Sequence, residues 1–276
     1  MSAYPFQRLL LATEHTEFDA GAERVAFAMA QRCGVPLRVV VPIVSNPEYE
    51  VAAPELALRD ERKAAEKIAA LRSIAQQMGV QLDIHVRRGA ETYQEIVAEA
   101  AASQTDLIII RRRGNPGFLA NLLVGEMVSK VIRDASCCVL MVPRAAHFWQ
   151  HEILAAVSDT PNAQKITSIA ASIASACALP LTLVSIAENQ AKQAEAEILN
   201  QRNVALASGQ TSKVRGRVLV GKPVAQVLAT ARDISADLLV IGRQRYNLIP
   251  FALGRTSIMQ QIAGALDVPT LVVPAR

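Results

Sequence analysis

The sequence predicts two tandem α/β domains, each a doubly wound parallel sheet of five strands. Three observations lead to this prediction. The 276-residue chain repeats itself, short β-branched runs alternate with helical patterns inside each copy, and the runs are aliphatic, as in strands buried on both faces. Strict alternation of strands and helices produces a parallel sheet covered by helices.

The repeat is read from pairs of matching segments. Residues 9–16 match residues 153–160, and the same spacing of 144 residues carries the segment beginning at Cys33 onto the segment beginning at Cys177. Further along, residues 106–110 match 237–241, and 138–143 resemble 270–274. The chain is therefore a tandem duplication. We place its boundary within residues 144–151, which gives domains 1–145 and 146–276.

The elements of the first copy follow in order from the hydrophobic pattern. The predicted strands are 9–13, 37–43, 82–87, 106–110 and 138–142. The predicted helices are 18–33, 57–78, 91–103 and 121–134, and Gly34 is placed as the C-cap of the first. The second copy is shorter, mainly between its second and third strands.

Composition and charge exclude several classes of protein. Hydrophobic residues make up 51% of the chain and charged residues 20%, which is typical of a globular protein. The net charge of +4 is too small to indicate a nucleic-acid binder. No apolar stretch reaches the roughly 18 residues of a membrane span, and the start of the chain lacks the pattern of a signal peptide. We therefore expect a cytoplasmic protein with no membrane partner and no specific nucleic-acid partner.

Catalytic and metal-binding patterns are missing from the sequence. The four histidines are scattered without metal-ligand spacing, and no nucleophile elbow or Cys/His pair can be assembled. Residues 216–223 nearly spell a phosphate-binding P-loop, but they are read as the third strand of copy two, followed by Pro223 in the first turn of a helix. We expect a protein that is not an enzyme and holds no metal in a site of its own.

Four motifs stand out, and the last three of them occur in both copies. They are an acidic residue after the first strand of copy one, a Gly-Ala or Gly-Lys-Pro turn (89–90 and 221–223), an Asp-Leu strand (106–110 and 237–241) and a final aliphatic strand ending in proline. As a set they resemble the universal stress protein family, over nearly the whole chain. The resemblance implies flavodoxin-like domains, also described as adenine nucleotide alpha hydrolase-like, with strand order three-two-one-four-five. It also implies intramolecular pairing of the two domains across their last strands.

Nucleotide-binding members of that family carry Gly-x-x-Gly, nine residues and then Gly-Ser/Thr after the fourth strand. Such glycines allow a phosphate to approach the backbone, and the last element begins a helix. Copy one has Arg111 and then Gly114 at the two glycine positions, and closes with Gly125 and Glu126. Copy two has Gly242, then Arg245, and closes with Gly254 and Arg255. Both loops depart from the family pattern.

Charge distinguishes the two loops. Glu126 would repel a phosphate at the start of its helix, whereas Arg255 followed by Thr256 and Ser257 would attract one. The acidic residue after the first strand is Glu14 in copy one and is replaced by Ser158 in copy two. The candidate nucleotide-contacting residues are Gly242, Gly254, Arg255, Thr256, Ser257, Ser158, Ile186, Glu14, Gly114 and Gly125.

Four functional hypotheses remain from the sequence. The first is a cytoplasmic stress-response binding and signalling protein with degenerate nucleotide-binding loops and an unknown protein partner. The second is a protein that binds ATP or another adenine nucleotide, with Mg²⁺, in copy two, and the third is a slow nucleotide hydrolase. The fourth is an adapter whose arginines 111–113 bind an acidic partner, against the plainer interpretation of a solvated rim or an ion pair between the domains.

Overall fold

The computed structural model describes residues 4–14, 16–45, 51, 54–112, 125–243 and 258–275. The chain divides into two compact units. Domain 1 comprises Phe6–Arg112 with Gly125–Phe148, and the second unit contains all described residues from Trp149 onward, which we call domain 2. Among the described residues, no helix is both long enough and apolar enough to cross a membrane.

Domain 1 alternates strands and helices from end to end. Its strands are β1 (Leu9–Ala12), β2 (Leu37–Val44), β3 (Leu82–Gly89), β4 (Leu107–Arg111) and β5 (Cys138–Val142). Its helices are α1 (Ala20–Cys33), which follows a short 3-10 helix (Glu17–Asp19), then α2 (Pro54–Met78), α3 (Thr92–Ala102) and α4 (Glu126–Asp134). All strand pairs are parallel, in the order β3-β2-β1-β4-β5.

Domain 2 repeats this arrangement. Its strands are β6 (Ile153–Ala156), β7 (Leu181–Ala187), β8 (Val214–Val220), β9 (Leu238–Gly242) and β10 (Thr270–Val273). Its helices are α5 (Ala163–Cys177), α6 (Gln193–Ser208), α7 (Pro223–Asp233) and α8 (Ile258–Ala265), with a short 3-10 helix (Gln190–Lys192) before α6. The order β8-β7-β6-β9-β10 is again parallel. Both domains confirm the predicted fold class and strand order.

The core of each domain lies around its central strands. Every residue of β1 and of β4 is buried, whereas β3, which pairs only with β2, is partly exposed along its length. The aliphatic runs identified in the sequence are therefore strands covered by helices on both faces.

Individual predictions at the element ends hold. Gly34 follows α1 with φ of 64°, the left-handed conformation of a C-cap. The segment that resembles a P-loop begins inside strand β8 and includes its last five residues, and Pro223 opens α7. The first helix begins at Ala20 rather than at residue 18, and the fourth begins at Glu126 among the described residues, since 121–124 lie outside them.

An aspartate before the fourth strand of each domain fixes the start of the first strand. The carboxylate of Asp106 accepts the backbone N–H groups of Gln7 and Arg8 at 2.8–3.1 Å. In domain 2 the carboxylate of Asp237 accepts those of Gln150, His151 and Glu152. The Asp of the repeated Asp-Leu motif therefore sets the position of the first strand beside the fourth, and with it the edge at which both strands end.

Candidate functional site

The carboxyl ends of the first and fourth strands form the candidate site in each domain. Ala12 pairs with Ile110, so Thr13 and Glu14 leave β1 beside Arg111 at the end of β4. In domain 2, Ala156 pairs with Ile241, so Val157 and Ser158 leave β6 beside Gly242. The order of strands reverses at this position, because the first strand lies between the second and the fourth. Ligands of doubly wound sheets bind at such switch points.

In domain 1 this position is occupied by the side chain of Arg111. The side chain is only 7% exposed. One terminal nitrogen, Nη2, contacts the Glu14 carboxylate, and the other, Nη1, donates to the hydroxyl of Thr16 at 3.3 Å. The third nitrogen, Nε, lies 3.2 Å from Asp19 Oδ1, an ion-pair distance without the alignment of a hydrogen bond. All three nitrogens of the guanidinium thus face a polar group of domain 1.

Asp19 organises the loop that carries Glu14. It is fully buried, and its Oδ2 accepts the backbone N–H groups of Glu14 (3.1 Å) and Thr16 (2.9 Å) as well as the hydroxyl of Thr13 (3.1 Å). A buried carboxylate with several donors and a facing cation is well compensated. The loop after β1 is therefore folded around one carboxylate, which holds Glu14 against Arg111.

A second ion pair extends this cluster on the side of α1 and α2. Lys67 Nζ lies 2.8 Å from Glu23 Oε1 and donates to the Thr16 carbonyl oxygen at 3.2 Å. Glu23 also accepts the Thr13 hydroxyl at 3.1 Å. The charges beside β1 in domain 1 are therefore matched with one another inside the domain.

The prediction for arginines 111–113 needs correction. The sequence left open an anion-capturing cluster, a solvated rim or an ion pair between domains. Arg111 is instead buried in an ion pair within domain 1, and Arg112 is half-buried. Arg113 lies outside the described residues. The reason is register, because Arg111 is still the last residue of β4 and points into the domain rather than along its surface.

In domain 2 the same position has no side chain. Gly242 ends β9 as Arg111 ends β4, and its backbone lies against α5. A Cβ atom on Gly242 would come within 2.7 Å of Ile166 Cδ1 and 2.9 Å of Asn162 Nδ2. Real Cβ atoms do not approach neighbours so closely, so a side chain here would require Ile166 and Asn162 to shift.

Asn162 is the polar group that faces Gly242. It precedes α5 as Asp19 precedes α1, and the residue is 6% exposed. Its Oδ1 accepts the Thr160 hydroxyl at 2.8 Å, while its Nδ2 makes no hydrogen bond with any described residue. A buried amide nitrogen without an acceptor is costly, so this donor is well placed to meet an acceptor from outside the chain.

The other predicted residues of domain 2 lie around the same strand ends. Ser158 is exposed in the loop after β6. Ile186 is half-buried on β7, two residues beyond Val184, which pairs with Ala156. Ser158 and Ile186 therefore stand at one level of neighbouring strands, beside Gly242.

The closing pair of the domain 1 loop opens helix α4. Gly125 is its N-cap with φ of −53°, a conformation that other residues adopt. Glu126 is in the first turn, and its carboxylate lies 3.0 Å from Lys130 Nζ. This hydrogen bond is the main cause that raises the pKa of Lys130 above its ordinary value of 10.5. Glu14 and Glu126 therefore each contact a cation of their own, Arg111 and Lys130.

Five predicted site residues lie outside the described part of the chain: Gly114, Gly254, Arg255, Thr256 and Ser257. Their roles remain predictions. Asp19 and Asn162 were missed by the sequence reasoning, although each is a helix-capping residue type just after the acidic or hydroxyl residue of the first loop. That signal was available in both copies.

The described residues do not assemble a metal centre, since no group of three or more histidine, cysteine, aspartate or glutamate side chains among them could hold an ion. The buried Asn162 donor and the bare backbone at Gly242 do fit an organic ligand with hydrogen-bond acceptors.

The fold defines a duplicated α/β protein of the doubly wound class. Comparison with known proteins gives its family. The model of the universal stress protein family matches residues 5–143 and 151–274, so the chain belongs to that family and contains two of its domains.

Individual relatives agree with this assignment. A protein described as "Universal stress protein in QAH/OAS sulfhydrylase 3'region", from Thermus aquaticus, is 31% identical over 139 residues, which is 50% of this chain and 98% of the relative. Two solved structures share the fold over nearly their whole length. A universal stress protein from Archaeoglobus fulgidus DSM 4304 has a TM-score of 0.73 at 18% identity, and covers 98% of this chain and 97% of its own. A functionally unknown protein from Pseudomonas aeruginosa PAO1 has a TM-score of 0.73 at 18% identity. The match covers 99% of this chain and 94% of that protein.

Proposed function

We propose that this protein is a cytoplasmic stress-response protein that acts by binding, and that it takes one adenine nucleotide per chain at the carboxyl end of the domain 2 sheet. The observation that carries the proposal is the pair formed by Gly242 and Asn162. The first leaves the strand end without a side chain, and the second turns a buried, unsatisfied N–H donor toward it.

The chemistry of this edge suits an adenine nucleotide in two parts. A buried amide donor recognises a ring nitrogen or a ribose oxygen, and the half-buried Ile186 offers an apolar surface for a base. Phosphates would be held by Gly254, Arg255, Thr256 and Ser257, which the sequence places at the start of the following helix. Ser158 is exposed nearby and can bond to either part.

Binding would act through populations rather than chemistry. A ligand that contacts β6, β7 and β9 together favours the conformation in which those strand ends are ordered. A protein partner that binds the surface around these strand ends would then distinguish the nucleotide-bound protein from the nucleotide-free protein. We propose no catalytic step, because the described residues around Gly242 offer a glycine, an amide, a hydroxyl and an aliphatic side chain.

Calorimetric titration with ATP and Mg²⁺ tests this proposal, on a preparation checked for copurified nucleotide. We expect saturation at one site per chain. Arg255→Glu should abolish the heat by repelling the phosphates, and Asn162→Ala should weaken binding roughly 10-fold or more through the lost hydrogen bond. The exposed Arg133→Glu substitution in domain 1 is the matched charge control and should leave affinity unchanged.

The opposite result is equally specific. If no heat appears with millimolar ATP, the degenerate loops do not hold a nucleotide and the proposed ligand is wrong. The remaining hypothesis is then a stress-response protein that works through protein partners alone. Release of phosphate from ATP that depends on Mg²⁺ would instead support the hydrolase.

A further inference from the structure

Domain 1 offers a different chemistry at the equivalent edge. By strand register Arg111 stands where Gly242 stands in domain 2, and Asp19 stands where Asn162 stands. A position without a side chain beside a neutral amide in one domain is therefore a position with an ion-paired side chain in the other.

We propose that the edge of domain 1 is a guanidinium-binding site whose permanent occupant is the chain's own Arg111. The receptor consists of the Glu14 and Asp19 carboxylates and the Thr16 hydroxyl, one for each nitrogen of the guanidinium. The guanidinium carbon also lies 6.0 Å from the centre of the Phe18 ring, within reach of a cation–π contact. Because the site is filled from inside, domain 1 takes no external ligand at this edge.

Burial and rigidity distinguish this arrangement from a surface salt bridge. The side chains of Arg111, Glu14 and Asp19 are 7%, 15% and 0% exposed. Backbone N–H groups of the same loop donate to Asp19. The loop itself therefore positions this carboxylate, independently of the guanidinium.

Chemical rescue tests the proposal without reference to any nucleotide. Arg111→Ala removes the occupant and leaves two buried carboxylates, so we expect the melting temperature to fall by roughly 5–10 °C. Guanidinium chloride at millimolar concentration should then raise the melting temperature of the variant. Sodium chloride and ethylammonium chloride at the same ionic strength should raise it much less, because neither cation offers three coplanar donors.

Two proteins serve as controls for that rescue. Wild type should not respond to millimolar guanidinium, because its site is filled. Arg133→Ala removes an arginine whose side chain is 65% exposed, and it should show neither the large loss nor the rescue. The proposal is overturned if folded Arg111→Ala is unaffected by guanidinium, or if ethylammonium rescues it equally.

A second variant covers the case in which Arg111→Ala does not fold. The double variant Asp19→Asn with Arg111→Gly reproduces the asparagine and glycine that domain 2 has at these two positions. Residue 19 then carries no charge that would need compensation. We expect the double variant to fold and to respond to guanidinium only weakly, since one of the two carboxylates is gone. A large rise in its melting temperature with guanidinium, or an equal rise with ethylammonium, would contradict the receptor assignment.

Nucleotide stoichiometry tests the same proposal on an intact domain 1. The double variant Gly242→Arg with Asn162→Asp copies the filled arrangement into domain 2. This experiment rests on the proposed function, but its outcomes distinguish a failure of the guanidinium-site proposal from a failure of the proposed function. If the variant loses all ATP binding while wild type binds once, domain 1 is closed as proposed. If the variant still binds one ATP, or wild type binds two, domain 1 is open and the proposal is wrong. If wild type binds none, the proposed function fails and the guanidinium experiment alone decides.

Discussion

One residue position decides what each domain can do at its ligand edge. The last residue of the fourth strand is arginine in domain 1 and glycine in domain 2, in otherwise equivalent strands. The residue that faces this position differs as well, since Asp19 faces the arginine and Asn162 faces the glycine. The duplication has therefore kept the backbone and changed a matched pair of side chains.

The packing of Gly242 leads to a prediction at the residue scale. Gly242→Ala should destabilise the protein by about 1–3 kcal/mol, because the new methyl group would overlap Ile166 and Asn162. Gly209→Ala is the matched control, since its new Cβ atom would lie 3.5 Å from the backbone oxygen of Leu206 and the φ of residue 209 is −69°. That change should be neutral or stabilise by up to about 1 kcal/mol. Urea unfolding followed by circular dichroism measures both, and equal effects would show that packing at Gly242 is not special.

At the scale of elements, the two domains share a device that positions the first strand. Asp106 and Asp237 each bind two or three consecutive backbone N–H groups at the entry of β1 or β6. The return bonds are also present, since the backbone N–H of Asp106 donates to the carbonyl of Arg8 and that of Asp237 to the carbonyl of Glu152. The repeated Asp-Leu motif is therefore a structural signature of the fold.

Removing this carboxylate should loosen the start of the strand. We expect Asp237→Ala to lower the free energy of unfolding by about 1–3 kcal/mol, because several backbone donors lose a charged acceptor. Asp233→Ala removes an exposed carboxylate that pairs with Arg217 in the same domain, and should cost less than about 1 kcal/mol. Hydrogen exchange of the residue 150–152 amides gives a local measurement. Unchanged protection in Asp237→Ala would contradict the assignment.

Helix α4 gives a prediction about charge. Glu126 raises the pKa of Lys130, first through their hydrogen bond and further through its negative charge. A lysine whose pKa is raised by folding adds stability below its ordinary value of 10.5, and this contribution is lost as the pH rises through the higher folded value. Glu126→Gln should therefore shift the NMR titration of Lys130 to lower pH. Glu195→Gln should do the same for Lys192 alone, whose pKa is raised by its hydrogen bond with Glu195. A Lys130 titration that Glu126→Gln leaves in place would show that the pair does not form in solution.

At the scale of the whole molecule, the duplication separates stability from binding. The residues proposed to hold a nucleotide all belong to domain 2 or to its loops, whereas domain 1 has its own core and its own charge cluster. The boundary at residues 145 and 146 and the pairing of the domains through their last strands remain proposals that come from the repeat and the family resemblance.

A core substitution in domain 1 tests this separation. Leu71→Ala on α2 empties a fully buried position and should cost about 2–5 kcal/mol. Leu58→Ala on the same helix removes a side chain of a residue that is 59% exposed and should cost little. In both variants the dissociation constant for ATP should stay within about twofold of wild type, because distant sites act independently. A large loss of affinity in folded Leu71→Ala would mean that the site depends on domain 1.

The sequence by itself determined the duplication, the order of strands and helices along the chain, and the fold class. These follow from periodicity and from the repeated motifs, which are local properties of the chain. The ends of most elements were also placed within a few residues, since aliphatic runs and the C-cap Gly34 mark them directly.

Only the tertiary structure decided what lies at the carboxyl ends of the first and fourth strands. Arg111 is one of three consecutive arginines, and nothing local distinguishes the one that β4 turns inward from the two that follow it. Its partners Glu14 and Asp19 are about a hundred residues away in the chain, as Asn162 is about eighty from Gly242. Contacts between such distant segments depend on strand register and on the packing of helices. For that reason the ion pair of Arg111 in domain 1 and the packing of Asn162 against Gly242 in domain 2 appear only in the folded protein.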